Sequence, residues 1–263
     1  MRALWLAALL WSSVAAQPAM PPAVVLFGEV HDNAAQHALR LDEVRAMLAA
    51  GARPALLMEQ FDRERQPDID RVRATTPHPD ADALILAGSG APASDSRGWN
   101  WAYYRPMIEL ALVYDLPIFA ANVSRADTRR VISDGLAANG FDADVPPAIM
   151  RAQADVIERS HCGTLDAPQA TRMAAAQVAR DQFMARLVTA HAARGVLLLA
   201  GNGHVRTDIG VPRWLPPAVR ERTRAIGMLE AVDNVDRTGY DRVVVTPAQA
   251  RDDPCAALLK PVK

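Results

Sequence analysis

Ala23-Val24-Val25-Leu26-Phe27-Gly28-Glu29-Val30-His31 is the stretch on which the reading of this chain turns. Its first five residues are apolar without polar alternation, the pattern of a strand covered on both faces in a parallel sheet. A glycine, an acid and a histidine follow, and Asp32 or Asn33 can cap a helix that runs to about Ala50 and ends at Gly51. The same order recurs downstream, where Val196-Leu197-Leu198-Leu199-Ala200 leads into Gly201-Asn202-Gly203-His204. Open α/β sheets bind ligands outside the carboxyl ends of their strands. Two G-x-x-H turns at matching positions therefore predict one shared site.

Between the turns, short apolar runs alternate with amphipathic stretches. Ala55 to Glu59 and Pro117 to Ala121 read as strands, and Arg224–Leu229 and Arg242–Val245 as two more near the sheet edge. The stripe Leu39, Val44, Met47 and Leu48 gives the first helix its apolar face. Arg63 to Thr76, Tyr103 to Tyr114, Arg125 to Ala138, Pro147 to Arg159 and Gln169 to Ala193 read as helices, and Ala87 to Trp101 as a loop. Strands separated by helices imply βαβ units, hence an α/β fold with a mostly parallel sheet. The expectation is one domain over residues 17–263, with a helical insertion or cap at about 137–193.

Half of the 263 residues are hydrophobic and the net charge is −1, without a basic cluster. That composition supplies a good-sized core and argues against nucleic acid as a partner. Residues 1–16 read as a secretory signal peptide: Arg2, then the apolar run Leu4 to Trp11, then the small residues Val14-Ala15-Ala16. A retained membrane anchor is the competing reading, but the run is short for a bilayer. Export, to the periplasm in a Gram-negative host, is the expectation, with no stable membrane span after signal removal. The two cysteines, Cys162 and Cys255, then read as one disulfide, closing a loop worth about 4–5 kcal/mol of chain entropy. Thiolate chemistry or metal ligation beside His161 is the rival, and neither cysteine belongs to a C-x-x-C pair.

Glu29, His31, Glu59 and His204 all fall at or just past strand ends. A glutamate after Ala-Leu-Leu-Met needs a partner if buried, and imidazole transfers protons near neutral pH or ligates metals. The four residues are candidates for acid–base chemistry at one site, and His31, Glu59 and His204 for a divalent-metal site, although the spacing matches no standard zinc signature. The glycines are expected to let the backbone turn sharply. His37 either lines the same mouth or is an exposed helix residue. Trp99 and Trp101 either stack on a flat ligand or anchor their loop.

Leu26-Phe27-Gly28-Glu29-Val30-His31-Asp32-Asn33, Met58-Glu59-Gln60-Phe61-Asp62-Arg63, Ala200-Gly201-Asn202-Gly203-His204-Val205 and Gly210-Val211-Pro212 together resemble the ChaN-like haem-binding uptake family. That family shares a superfamily with the Tiki/TraB proteins and the erythromycin esterases, and the resemblance to the hydrolases among them implies, as the alternative function, a hydrolase with Glu29, His31, Glu59 and His204 as its catalytic or metal centre. Tyr104-Arg105-Pro106 and Ala121-Asn122-Val123-Ser124-Arg125 look like further family blocks, and His161-Cys162-Gly163 with Asp253-Pro254-Cys255 looks similar to exported members. The resemblance implies a three-layer α/β/α fold and haem binding in iron acquisition, with a homodimer holding a cofacial haem pair and envelope haem-uptake components as partners. It also implies a tyrosine iron ligand. Tyr104 is the first candidate, with Arg105 beside it to stabilise a phenolate; Tyr103 and Tyr240 follow. Tyr104 as a helix-packing residue is the competing reading. Asn122, Arg125, His31 and His204 complete the expected cofactor-binding set.

Overall fold

The computed structural model describes residues 23–95, 98–232, 236–253 and 255–256. The signal peptide expected at residues 1–16 lies outside them. Six strands form one sheet: β1 (Val24–Glu29), β2 (Ala55–Asp62), β3 (Ile118–Asn122), β4 (Val196–Gly201), β5 (Thr223–Glu230) and β6 (Arg242–Thr246). Their spatial order is β3-β2-β4-β1-β5-β6, and every pairing is parallel. The apolar runs lack alternation because both faces are covered. Val25, Phe27, Leu197 and Leu199 point into one core, while Val24, Leu26, Val196 and Leu198 point into the other. Each such side chain contributes about 1.5–3 kcal/mol on burial.

The first core is closed by α1 (Ala34–Ala49), α2 (Gln66–Thr75), α3 (Ala81–Ser89) and α4 (Trp101–Val113). On the opposite face, α5 (Arg125–Asp134) and α6 (Pro147–Ser160) precede α7 (Ala167–His191), which lays Met184, Ala185 and Val188 on the sheet. The α6 helix packs on α7 rather than on the strands. The result is the three-layer α/β/α architecture, and the segment at 137–193 supplies much of one layer. Two short helices, α8 (Asn202–Val205) and α9 (Pro217–Arg220), follow β4. Cys162, in the α6–α7 turn, is disulfide-bonded to Cys255. No helix among the described residues is long and apolar enough to cross a membrane.

Three local readings change. Part of the expected loop at 87–101 is helix: Asp80 caps α3 by accepting from Ala83 N at 2.8 Å, Leu84 and Ile85 are buried, and Gly90 ends it at φ +74°. The α5 helix stops at Asp134 because Gly135 takes φ +85°. Leu39 is 48% exposed, off the buried face of α1, which carries Gln36, Arg40, Val44 and Leu48 instead.

Candidate functional site

The two G-x-x-H turns lie side by side because β1 and β4 are neighbours, with Glu29 opposite Gly201. Their glycines are needed for a reciprocal reason. A methyl group on Gly201 would sit 3.2 Å from Cε1 and Nε2 of His31; one on Gly28 would sit 2.3 Å from Asn202 Oδ1 and 2.7 Å from Val205. Each glycine admits the other turn. Asn202 crosses β1 at Gly28 and grips β5, donating to Met228 O at 2.6 Å and accepting from Met228 N at 3.0 Å. Gly28 itself remains in β1, so its role is clearance and not a sharp turn.

Toward α1 and α4, Glu29 is a buried carboxylate with four donors. Its Oε1 accepts from the Tyr104 hydroxyl at 2.5 Å and from Gln60 Nε2 at 3.4 Å, and lies 2.9 Å from His31 Nδ1; Oε2 takes Arg40 Nη1. Burial pushes the Glu29 pKa up, but Arg40 and the bond from His31 outweigh it and hold it at about 2. Burial and the Glu29 charge together raise the Tyr104 phenol far above its ordinary value. Arg40 Nη2 also donates to His37 Nδ1 at 2.7 Å, so His37 carries its proton on Nε2 and gives it to His31 O at 3.0 Å. Burial and Arg40 lower the His37 pKa, consistent with a neutral ring.

Toward α7, Glu59 accepts from Gly201 N at 2.7 Å and lies 3.5 Å from His204 Nε2, while His204 Nδ1 meets Asp181 Oδ1 at 2.6 Å. Gln153 donates to the other Asp181 oxygen at 3.1 Å. Burial opposes charge on all three ionisable groups. Glu59 is nevertheless held at about 2 by His204, and His204 is raised to about 10 by Glu59 and Asp181. For Asp181 burial prevails over the attraction of His204, and its pKa rises to about 6. At neutral pH the group is an imidazolium between two carboxylates. Glu59 and Gln60 are consecutive on β2 and so face opposite sides, which splits the site into two half-networks. His31 lies between them. Its side chain is 45% exposed, and its pKa is raised because Glu29 and Glu59 outweigh burial.

Glu29, His31, Glu59 and His204 are thus brought together. The expected metal geometry does not follow: among the described residues, no three His, Cys, Asp or Glu side chains are grouped to hold a metal ion. Asn122 and Arg125 fall elsewhere. Asn122 sits at the end of β3, separated from β1 by two strands, and donates to Asp62 at 2.9 Å; Arg125 is exposed at the start of α5.

Tyr104 has no exposed surface and its hydroxyl is committed to Glu29, so it cannot meet a porphyrin iron. Arg105 pairs with Asp82 and not with a phenolate. His37, rather than being exposed, is 5% exposed. Trp101 is buried and stacked on Phe61, and Trp99 stands edge-on to His31 at 4.8 Å.

Asp181, Gln153, Arg40 and Gln60 escaped the sequence reading. The available signal was a polar residue inside an apolar stripe: Asp181 falls between Val178 and Ala185 on α7, and Arg40 precedes Val44 and Leu48 on α1. Beside the Glu29 network, a groove of about 210 Å³ runs between α1 and α4, lined by Ala34, Ala38, Leu41, Tyr103, Pro106 and Met107 and by His37 and Arg40 of that network. Tyr103 is half-buried there, stacked on His37 at 4.9 Å, and its hydroxyl has no hydrogen-bond partner among the described residues.

A family model described as haem-binding uptake, Tiki superfamily, ChaN matches residues 15–215. The chain belongs to this ChaN haem-binding family. Among solved structures, one described as cofacial heme binding to ChaN of Campylobacter jejuni is 19% identical, covering 84% of this chain and 86% of that one at a TM-score of 0.66. The type III effector HopBA1 is 11% identical over 86% and 88% of the two chains, at a TM-score of 0.48. A mutant of the erythromycin esterase EreC in its open conformation is 13% identical over 79% and 70%, at 0.42. These identities establish a shared fold for the ChaN structure, and the other two are too distant to bear on function. No curated protein matches the chain at a significant level.

Proposed function

We propose that this ChaN-family chain is an exported haem-binding protein of haem and iron uptake, acting as one domain after loss of residues 1–16. Membership of the haem-binding family is the observation that carries the reading. The α1–α4 groove fits the ligand chemically: its walls are mostly apolar, with His37 and Arg40 among the lining residues, and Tyr103 offers a phenol oxygen with no competing partner among the described residues. Phenolate is a hard, anionic ligand suited to ferric haem iron. At about 210 Å³ the groove is smaller than the ~300–1,000 Å³ of pockets that enclose drug-sized ligands. Haem would lie across it, Tyr103 holding the iron and the aliphatic lining excluding water from one face. An open second face is what a homodimer or an envelope uptake component would cover.

Hemin titration of the purified chain tests the proposal. A saturable Soret change is expected in the wild type, and Tyr103→Phe should remove the tyrosinate signature. A wild-type titration no different from that of an unrelated protein would reject haem binding altogether.

A hydrolase is the second reading, favoured by the Glu59–His204–Asp181 alignment. His204 has both ring nitrogens turned to carboxylates, so the half-exposed His31, oriented by Glu29, is the group left to move a proton to or from a substrate. An esterase and peptidase screen with and without Mn²⁺ or Zn²⁺ tests it, with His31→Ala and His204→Ala as controls. Silence across that screen removes the reading.

A further inference from the structure

After β6 the chain crosses the carboxyl ends of β5 and β1. Pro247 O accepts from Asn33 Nδ2 at 2.9 Å, and Gln249 N donates to Glu230 Oε1 at 2.8 Å. Arg251 then forks onto two carboxylates, Glu230 at 2.7 and 2.8 Å and Asp32 at 2.7 and 3.0 Å. Asp32 directly follows His31, and Asn33 caps α1. Beyond Arg251, Cys255 is bonded to Cys162 in the α6–α7 turn, on the opposite layer. Cys255 lies nine residue steps beyond Thr246, a reach of about 30 Å when extended. That is enough to bridge from the sheet edge over β5 and β1 to α7.

We propose that residues 247–253, pinned through Cys255, form a redox-latched strap beside the strand-end site. Residues 247–253 are exposed, so no apolar burial secures the segment. Its noncovalent hold is a handful of hydrogen bonds and ion pairs, made from exposed strap residues to the buried Asn33 and Glu230 and to the exposed Asp32. The disulfide makes that hold persistent, since it keeps Arg251 at high effective concentration over Asp32. Its opening requires a dithiol reductant. One reductant thiolate attacks the sulfur of one cysteine, the S–S bond breaks, and the other cysteine leaves as a thiolate that takes up a proton. The second reductant thiolate then displaces the first cysteine, which is protonated in turn. Two electrons pass to the protein sulfurs, and the reductant becomes a cyclic disulfide. The freed strap releases Asp32, and the turn carrying His31 loses one of its walls.

Cleavage after Arg251 by a trypsin-like protease, followed by mass spectrometry with and without a dithiol, tests the latch. Reduction should speed this cleavage about tenfold or more, since cleavage follows the population of the opened segment. The other arginine sites should keep their rates, and far-UV circular dichroism should not change. A Cys162→Ser/Cys255→Ser double variant should be cut at the fast rate under both conditions. His31 ring resonances should move on reduction while those of His191 stay. Equal cleavage at Arg251 in both redox states overturns the proposal. So does reduction that accelerates every site together, which would make the bridge a staple for the whole fold, or an unmoved His31 signal.

Discussion

The Tyr104 hydroxyl donates to Glu29 Oε1 at 2.5 Å, beneath the strand ends and away from solvent. This contact gives Tyr104 a structural task and leaves the neighbouring Tyr103 as the phenol available to a ligand. The two consecutive tyrosines diverge because successive helix positions are ~100° apart, so one enters the core and the other lines the groove.

Tyr104→Phe and Tyr103→Phe should therefore have opposite effects. The first removes a hydrogen bond to a buried carboxylate and should cost about 1.5–3 kcal/mol in urea unfolding, with the haem spectrum of the folded protein unchanged. The second should change stability by less than about 0.5 kcal/mol and alter the haem spectrum. A normal haem spectrum in folded Tyr103→Phe would remove it as the iron ligand.

Asp181→Ala should destabilise the fold by about 3–5 kcal/mol, because it leaves a buried imidazolium with one partner fewer. In Asp181→Asn the His204 pKa should fall from about 10 toward 6.5, since one of its two raising carboxylates is gone. Proton NMR titration of the His204 ring reads the shift directly. An unmoved pKa would mean that Asp181 does not hold the charged ring.

Stability should fall at both ends of the pH scale. Glu29 and Glu59 have native pKa values of about 2 against 4.5 for a free glutamate, so their contribution is full above 4.5 and is lost as pH falls through 2. His204 is raised from 6.5 to about 10, so its contribution is full below 6.5 and is lost as pH rises through 10. Asp181, raised from 3.8 to about 6, favours the fold below 3.8 and loses that contribution as pH passes 6. Melting temperature measured from pH 2 to 10 should show both outer limbs, and His204→Gln should abolish the alkaline one.

The glycines of the two turns give a sharper contrast. Gly28→Ala forces a methyl group into Asn202 and Val205 and should cost about 1–3 kcal/mol, more if the Asn202 bonds to β5 break. Gly203→Ala meets nothing within 4 Å and should melt close to the wild type. Thermal unfolding of the two variants compares them directly. Equal melting temperatures would contradict the proposed crossing of Asn202 over β1.

Val24 to Phe27 and Val196 to Ala200 were readable as strands because burial on both faces leaves an unbroken apolar run. The glycine after each marked its carboxyl end, and the histidine marked the shared site. Cys162 and Cys255 were readable as a pair from their number and the expected compartment. The partners were not readable. Asp181 reaches His204 from a helix in another layer, and Arg40 neutralises Glu29 from the buried face of α1, beside Val44 and Leu48. The end of the α3 helix was obscured by the run Gly88-Ser89-Gly90, although the packing of the helix on β2 sustains it.

Local pattern thus determined the strands, their direction and the residues at their ends, because periodicity and turn chemistry act over a few neighbours. Only the tertiary structure decided which tyrosine is buried, which carboxylate faces which histidine, and why Gly28 must lack a side chain. Those outcomes depend on distances between segments far apart in the chain, and the sheet order and the crossing of Asn202 set them.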